Sequence, residues 1–285
     1  MKMVKRQGYQ WAAAICLVAG MNSAQAAISN GAPTIQPGGS GVAGELFLNV
    51  WDQAAATSYS IDLGVTVGDF LAGSQVSSYW NLDQRFVNWA AATSDPLTFN
   101  VAGNNSYVGL NSADYGVLLS RRTGASAPGS FSMSALATVT TRISARATAL
   151  NIAEVAQNSG ATATDYAADL SEVTTTNASS YFDKAWGTSM NISGWVGSAT
   201  VRNGGNPDQT LNLFFIHSPG GTVASGTPVV FNELDGFLSL DIASAKLTWT
   251  SNVAPVPVPG AVWLFLSGIL AVLRVQKRSG VASIA

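Results

Sequence analysis

Two uncharged apolar runs stand at opposite ends of this chain, each beside a cluster of Lys and Arg. They bound what can fold as one body. The first covers residues 11–21, preceded by Lys2, Lys5 and Arg6 and followed by Ala24-Gln25-Ala26. A basic start, a short apolar core and a small-x-small site are the three parts of a secretory signal. Cleavage between Ala26 and Ala27 is therefore predicted, by signal peptidase after passage through the Sec export machinery. The second run covers residues 261–273 and is followed by Arg274, Lys277 and Arg278. A bilayer core takes about 20 helical residues. The Pro/Val stretch before this run and a snorkelling Arg274 extend its reach. The basic flank is expected to stay cytoplasmic by the positive-inside rule, with the bulk of the chain across the membrane.

The chain then divides into a signal peptide (1–26), a Gly/Pro/Ser-rich arm (27–44), a folded ectodomain (45–253), a Pro-rich segment (254–260), a transmembrane helix (261–275) and a basic cytoplasmic tail (276–285). The single cysteine, Cys16, falls inside the signal peptide, and no lipobox precedes it. An exported body without thiols has no disulfide framework and no thiolate metal cluster, so packing must stabilise it.

Charge sharpens the same division. The chain holds 14 Lys/Arg and 16 Asp/Glu, a net charge of −2. Three basic residues lie in each terminal cluster and every acidic residue lies in the body, leaving 8 basic against 16 acidic residues, a net −8, over residues 27–253. Phosphate neutralisation needs clustered Lys/Arg, so nucleic acid is not an expected partner.

Within the body, short runs of strand formers alternate with turn residues. Strands are predicted around 45–51, 59–64, 97–101, 115–119, 194–201, 211–216, 228–231, 237–240 and 246–251. Asn203-Gly-Gly-Asn-Pro-Asp208, Pro219-Gly-Gly221 and Asp235-Gly236 mark turns between them. One stretch departs from this pattern. Leu136, Val139, Ile143, Ala147 and Leu150 recur at steps of three and four, which predicts one helix over about 134–157, covering a sheet face or edge. Residues 159–180 are Ala/Thr/Ser-rich and read as loop. No fixed-period repeat is present, so a propeller or solenoid has no support. The expected fold is mainly β: a β-sandwich-like ectodomain with one covering α-helix, an N-terminal signal helix and a C-terminal transmembrane helix.

The C-terminal residues carry a resemblance. Pro255-Val-Pro257-Val258-Pro259-Gly260, then an apolar run with Ser267-Gly268, then the Arg274, Lys277, Arg278 cluster, resembles a PEP-CTERM sorting signal. That signal combines a Pro-x-Pro motif, a short membrane helix and a basic cluster. It occurs in proteins exported by Gram-negative bacteria that make exopolysaccharide. The resemblance covers about residues 255–278. Val258 stands where Glu is usual, as in a Pro-Leu/Val-Pro variant, and residues 279–285 run past the basic cluster. It implies an exosortase as processing partner and Pro257, Val258, Pro259, Gly260, Arg274, Lys277 and Arg278 as the sorting residues. It also implies an inner-membrane-anchored precursor that ends at the cell surface or outside the cell. Independently of the family, prolines favour an extended segment without amide donors, which is open to a protease beside a membrane helix. The opening Glu45-Leu-Phe-Leu-Asn-Val-Trp-Asp52, followed by Ser58-Tyr-Ser-Ile-Asp-Leu-Gly64, is similar to exported proteins with this kind of C-terminus. No activity is carried over with that similarity.

Catalytic signals are sparse. His217 is the only histidine, at a strand end, and no Gly-x-Ser-x-Gly elbow accompanies it. Asp165 and Asp169 share helical spacing and read as a solvated face. The turn from Asn203 to Asp208 offers oxygen atoms but not EF-hand spacing. No dinucleotide or phosphate-binding loop is present. No catalytic residue, metal or cofactor is assigned. Among the body's tryptophans (Trp51, Trp80, Trp89, Trp186, Trp195, Trp249), core packing is the default role. Tyr79-Trp80 and Trp186 stand beside polar residues, so Trp80 and Trp186 are the candidate carbohydrate-binding residues. The expected function is a non-enzymatic structural or biofilm role at the cell surface or in the matrix. The alternatives are a carbohydrate-binding module for exopolysaccharide and an unrecognised hydrolase.

Overall fold

The computed structural model describes residues 44–93, 96–106, 108–124, 132–157, 171–175, 178, 181 and 204–253, with only the backbone for 151–157. Trp186, Trp195, Asp165, Asp169, the strand expected at 194–201, the signal residues Ala24, Ala26 and Ala27, and everything from residue 254 onward lie outside this set. Among the described residues no helix is long and apolar enough to cross a membrane.

The described body is mainly β. It holds strands β1 (Glu45–Asp52), β2 (Thr57–Thr66), β3 (Ser78–Asn81), β4 (Thr98–Asn105), β5 (Gly116–Arg122), β6 (Ser171–Thr175), β7 (Leu211–His217), β8 (Val230–Glu233), β9 (Gly236–Asp241) and β10 (Lys246–Ser251). Three helices accompany them: α1 (Val67–Gly73), α2 (Gln84–Ala91) and α3 (Met133–Gln157). Instead of the two sheets of a sandwich, the strands form one antiparallel sheet in the order β3-β10-β9-β7-β5-β4-β1-β2-β6, with β8 also paired to β7. The sheet is curled. Trp80 Nε1 of β3 donates to Leu63 O of β2 at 3.0 Å, tying one edge strand to the strand next to the other edge.

Curling creates two hydrophobic layers. Leu46, Leu48 and Val50 of β1 point to the inside of the curl, with Val101, Leu213, Phe215, Leu238, Leu247 and Trp249. Phe47 and Trp51, one position over, point outward with Ala102, Val117, Leu119 and Ile216. That outer face is covered by α3 through Leu136, Val139, Ile143, Ala147 and Leu150. The helix thus lies where its apolar spacing places it, on a sheet face. Burial on both faces explains why β1 reads as imperfect alternation: all eight of its residues are buried.

The two short helices plug the inside of the curl. Thr66 Oγ1 accepts from Asp69 N at 3.1 Å and donates to Asp69 Oδ2 at 2.8 Å, an N-cap that starts α1. Asp83 Oδ1 accepts from Phe86 N at 3.0 Å and starts α2. Phe70 of α1 meets the Trp249 ring edge-on at 5.6 Å, and Phe86 of α2 meets Tyr59 at 5.1 Å. Gly236 permits the tight packing of β9 on β10, because a Cβ there would stand 2.5 Å from the Trp249 indole.

Polar residues cross the outer face in one row. Glu172, Ser60, Asn49 and Asn100 stand side by side on β6, β2, β1 and β4. Arg146 of α3 comes down on this row and donates through Nη2 to Asn49 Oδ1 (2.9 Å) and Ser60 Oγ (3.0 Å). Asn49 Nδ2 donates to Asn100 Oδ1 at 2.9 Å. The row explains why β6 forms within the stretch whose composition reads as loop. Its polar residues face polar partners instead of an apolar core.

Candidate functional site

An open cleft of about 310 Å³ lies between β2, α1 and β3. Its floor is Leu63, Phe70 and Trp80, and its rim carries Asp69, Val76 and Tyr79. The local sequence builds it in three steps. Gly64 adopts φ +63°, a left-handed conformation, within the irregularity that shifts the register of β2 on β1 before Thr66. The Thr66 N-cap then fixes α1 so that Phe70 turns into the curl. After α1, β3 pairs with β10 and sets Trp80 opposite Leu247.

Tyr79 and Trp80 do not form the shared aromatic platform that their adjacency suggests. Successive strand residues point to opposite faces. Trp80 turns inward, half-buried, with its ring 6.3 Å from Phe70 and its Nε1 held by Leu63 O. Tyr79 turns outward, and Lys246 Nζ stands 5.0 Å over its ring. Of the two sequence-selected candidates, Trp80 therefore lines the cleft, and Trp186 is outside the described residues. Phe70, Leu63 and Val76 were not singled out by sequence. Thr66, an N-cap residue with Asp69 in the first turn, was the signal that could have placed a helix there.

His217 is committed elsewhere. Its Nε2 accepts from Asn232 Nδ2 at 2.9 Å and its Nδ1 donates to Ser218 O at 2.8 Å, with the ring stacked on Phe215 at 4.7 Å. The turn holding Asn206 and Asp208 is closed by Gln209, whose amide donates to Asn206 O at 2.8 Å and whose Oε1 accepts from Asn206 N at 3.1 Å. It borders a second, open cleft of about 470 Å³ with Leu97, Pro207 and Ile242. No group of three or more metal-ligating side chains occurs among the described residues.

The buried acids are structural neighbours, not part of the cleft floor. Asp62 of β2 is pushed up to about 7, first by burial and then by the Glu45 carboxylate, against the Gly64 amide that bonds it at 2.8 Å. Tyr59 is raised well above its ordinary value by burial and by Asp83, to which its hydroxyl donates at 3.1 Å.

Chemically, the cleft offers an indole and a phenyl ring, aliphatic walls and one carboxylate. Such a surface suits a small apolar or amphipathic segment, including one face of a sugar ring. No protein-family model, curated protein or solved structure matches this chain.

Proposed function

We propose that this chain is an exported cell-surface or extracellular-matrix protein of a Gram-negative bacterium, held by its C-terminal segment and acting non-enzymatically in matrix or biofilm structure. One structural observation supports the reading: both ends of the described body leave from the surroundings of α1. Gly44 O accepts from Val67 N, at the first residue of α1, at 2.9 Å. Ser251 N donates to Ser77 Oγ, just past the other end of α1, at 3.0 Å. The seven residues of α1 span about 10 Å, and four more residues lead from its end to Ser77. A body whose two ends emerge together suits suspension from one stalk, with the rest of its surface facing away from the membrane. The −8 charge of the body suits a solvated surface protein.

The test is the intact mass of the native form recovered from cell surface or medium. Loss of residues 1–26, together with truncation near Pro259, is the expected result. An unchanged mass in a cytosolic fraction would remove the proposal.

A second reading, a carbohydrate-binding module for exopolysaccharide, is favoured by the cleft alone. Trp80 presents part of a flat ring beside the Asp69 carboxylate, the combination that stacks on a sugar face and accepts from its hydroxyls. On the processed protein, Trp80→Ala is expected to weaken polysaccharide retention by about tenfold, a change of about 1.4 kcal/mol. Equal retention by Trp80→Ala and by the parent protein would eliminate the cleft as the sugar site.

A further inference from the structure

The sheet has two terminal strands, and they are finished differently. β6 is mostly buried along its length. β3 is open: Ser78, Tyr79 and Asn81 are exposed, and β10 is its only strand neighbour among the described residues. Its sequence, Ser-Tyr-Trp-Asn, carries none of the charges or prolines that guard a free edge. The register shows which main-chain groups are left over. Lys246 faces Asn81, and one position further Leu82 N donates to Ala245 O at 2.8 Å. Hydrogen-bonded and non-hydrogen-bonded pairs alternate in an antiparallel ladder. Ser78 and Trp80 therefore direct their amides and carbonyls at β10, while those of Tyr79 and Asn81 point away from it.

The cleft lies against this edge. Ser77 to Trp80 line one side of it, and Leu63 to Val65 of β2 line the other. The described β6 pairs with β2 only as far as Ile61, so this second half of β2 is bordered by β1 alone among the described residues. The indole of Trp80, bonded to Leu63 O at 3.0 Å, bridges the two edges. A strand paired on both sides holds its neighbours about 10 Å apart, twice the usual spacing, and an indole with one hydrogen bond covers a gap of that order.

We propose that the cleft receives an extended, basic peptide segment of a partner protein, which adds a strand along β3 at Tyr79 and Asn81 and joins it to β2. Chemistry selects this occupant. What stands unused on the edge is main-chain donors and acceptors at strand spacing, and an extended chain returns the complementary groups at the same repeat. Alternate side chains of such a segment point down, and the floor of Leu63, Phe70 and Trp80 accepts an apolar one. Charge narrows the choice further. Asp69 is the one charged residue among those lining the cleft, and the body carries a net −8, so the complementary segment bears a basic residue and no acid. The interaction goes beyond the surface role proposed above, and it uses the cleft without its reading as a sugar site.

Amide hydrogen exchange on the full chain in phospholipid nanodiscs tests it, read residue by residue by fragmentation mass spectrometry. The probe is a capped octapeptide of alternating valine and threonine with one central lysine, at about 1 mM, a concentration that populates even a weak complex. The amides of Tyr79 and Asn81 are expected to exchange freely in the protein alone and about fivefold more slowly with the peptide. The same peptide with every amide N-methylated keeps its side chains but loses its donors, and is expected to leave both rates unchanged. Tyr79→Pro removes an amide that points away from β10, a position where an edge strand tolerates proline. It is expected to weaken binding of a fluorescently labelled probe about fivefold. Unchanged exchange at Tyr79 and Asn81 with the probe present overturns the proposal. Equal slowing by the N-methylated peptide assigns the contact to side chains and also overturns it. Slow exchange at both amides before any peptide is added shows the edge already paired within the chain, with the same consequence. Polysaccharide retention by the processed protein is scored separately, so either reading can fail alone.

Discussion

Arg146→Ala is expected to cost about 3–5 kcal/mol, enough to unfold a large fraction of a domain whose whole stability is about 5–15 kcal/mol. Arg146 is 2% exposed, in the middle of α3. Burial pushes its guanidinium down to about 10, while the Glu172 carboxylate acts in the opposite direction. The group therefore remains charged at neutral pH, and its charge offsets a second buried charge on β6. Truncation removes two hydrogen bonds, to Asn49 and Ser60, and leaves Glu172 without its offsetting cation. It also opens a cavity beneath α3. Removing one partner of a buried pair is much worse than replacing both with apolar groups of similar size. Arg146→Met combined with Glu172→Leu should accordingly lose less than the two single changes added together. Urea unfolding midpoints of the parent, Arg146→Ala, Arg146→Met, Glu172→Leu and the double variant measure this. A cost below about 1 kcal/mol for Arg146→Ala would show that the row does not depend on its cation.

The second large effect is a stability that declines as pH rises. Asp62 is 6% exposed and its carboxyl is pushed up to about 7 by burial and then by Glu45. In the unfolded chain it titrates near 3.9. The folded state therefore holds a proton that the unfolded state releases between about pH 4 and about pH 7, so stability falls across that window. The contribution is complete below about pH 4, is lost as pH passes through 7, and amounts to at most about 4 kcal/mol. This sign is opposite to that of an ion-paired carboxylate. Asp62→Asn keeps an acceptor for the Gly64 amide and carries no charge at any pH. It should flatten the profile and raise stability at pH 8, read as unfolding midpoints across a pH series. A parent profile that rises over the same window would contradict the assignment.

Several elements were legible because their signals are local. The Leu136, Val139, Ile143, Ala147, Leu150 spacing placed α3 within one residue of its start, and β10 matches the expected 246–251. The strand-former runs of β1, β7 and β9 were found with small boundary differences. Helices α1 and α2 were missed because seven or eight residues make barely two turns, too few for periodicity to register. Only their caps announced them. β6 was missed because Ser171, Glu172, Thr174 and Thr175 look like loop composition until Ser58, Ser60 and Arg146 are placed against them. At the candidate site, Trp80 was identified by its polar surroundings, but those surroundings did not say which way the ring turns.

By itself, then, the sequence determined the elements whose residues interact within a few positions: an amphipathic helix, short β-runs and the turns between them. Tertiary structure alone decided that the strands join into one curled sheet instead of two. It also decided that Arg146 meets Asn49 across 97 positions of chain, and that Trp80 closes the curl onto Leu63 while lining a cleft. The physical reason is range. Periodicity and capping are set by neighbours along the helix or strand, whereas strand order and buried polar pairing depend on which distant surfaces meet. Asparagine, serine and arginine, polar in any local reading, become interior residues only once distant partners satisfy them.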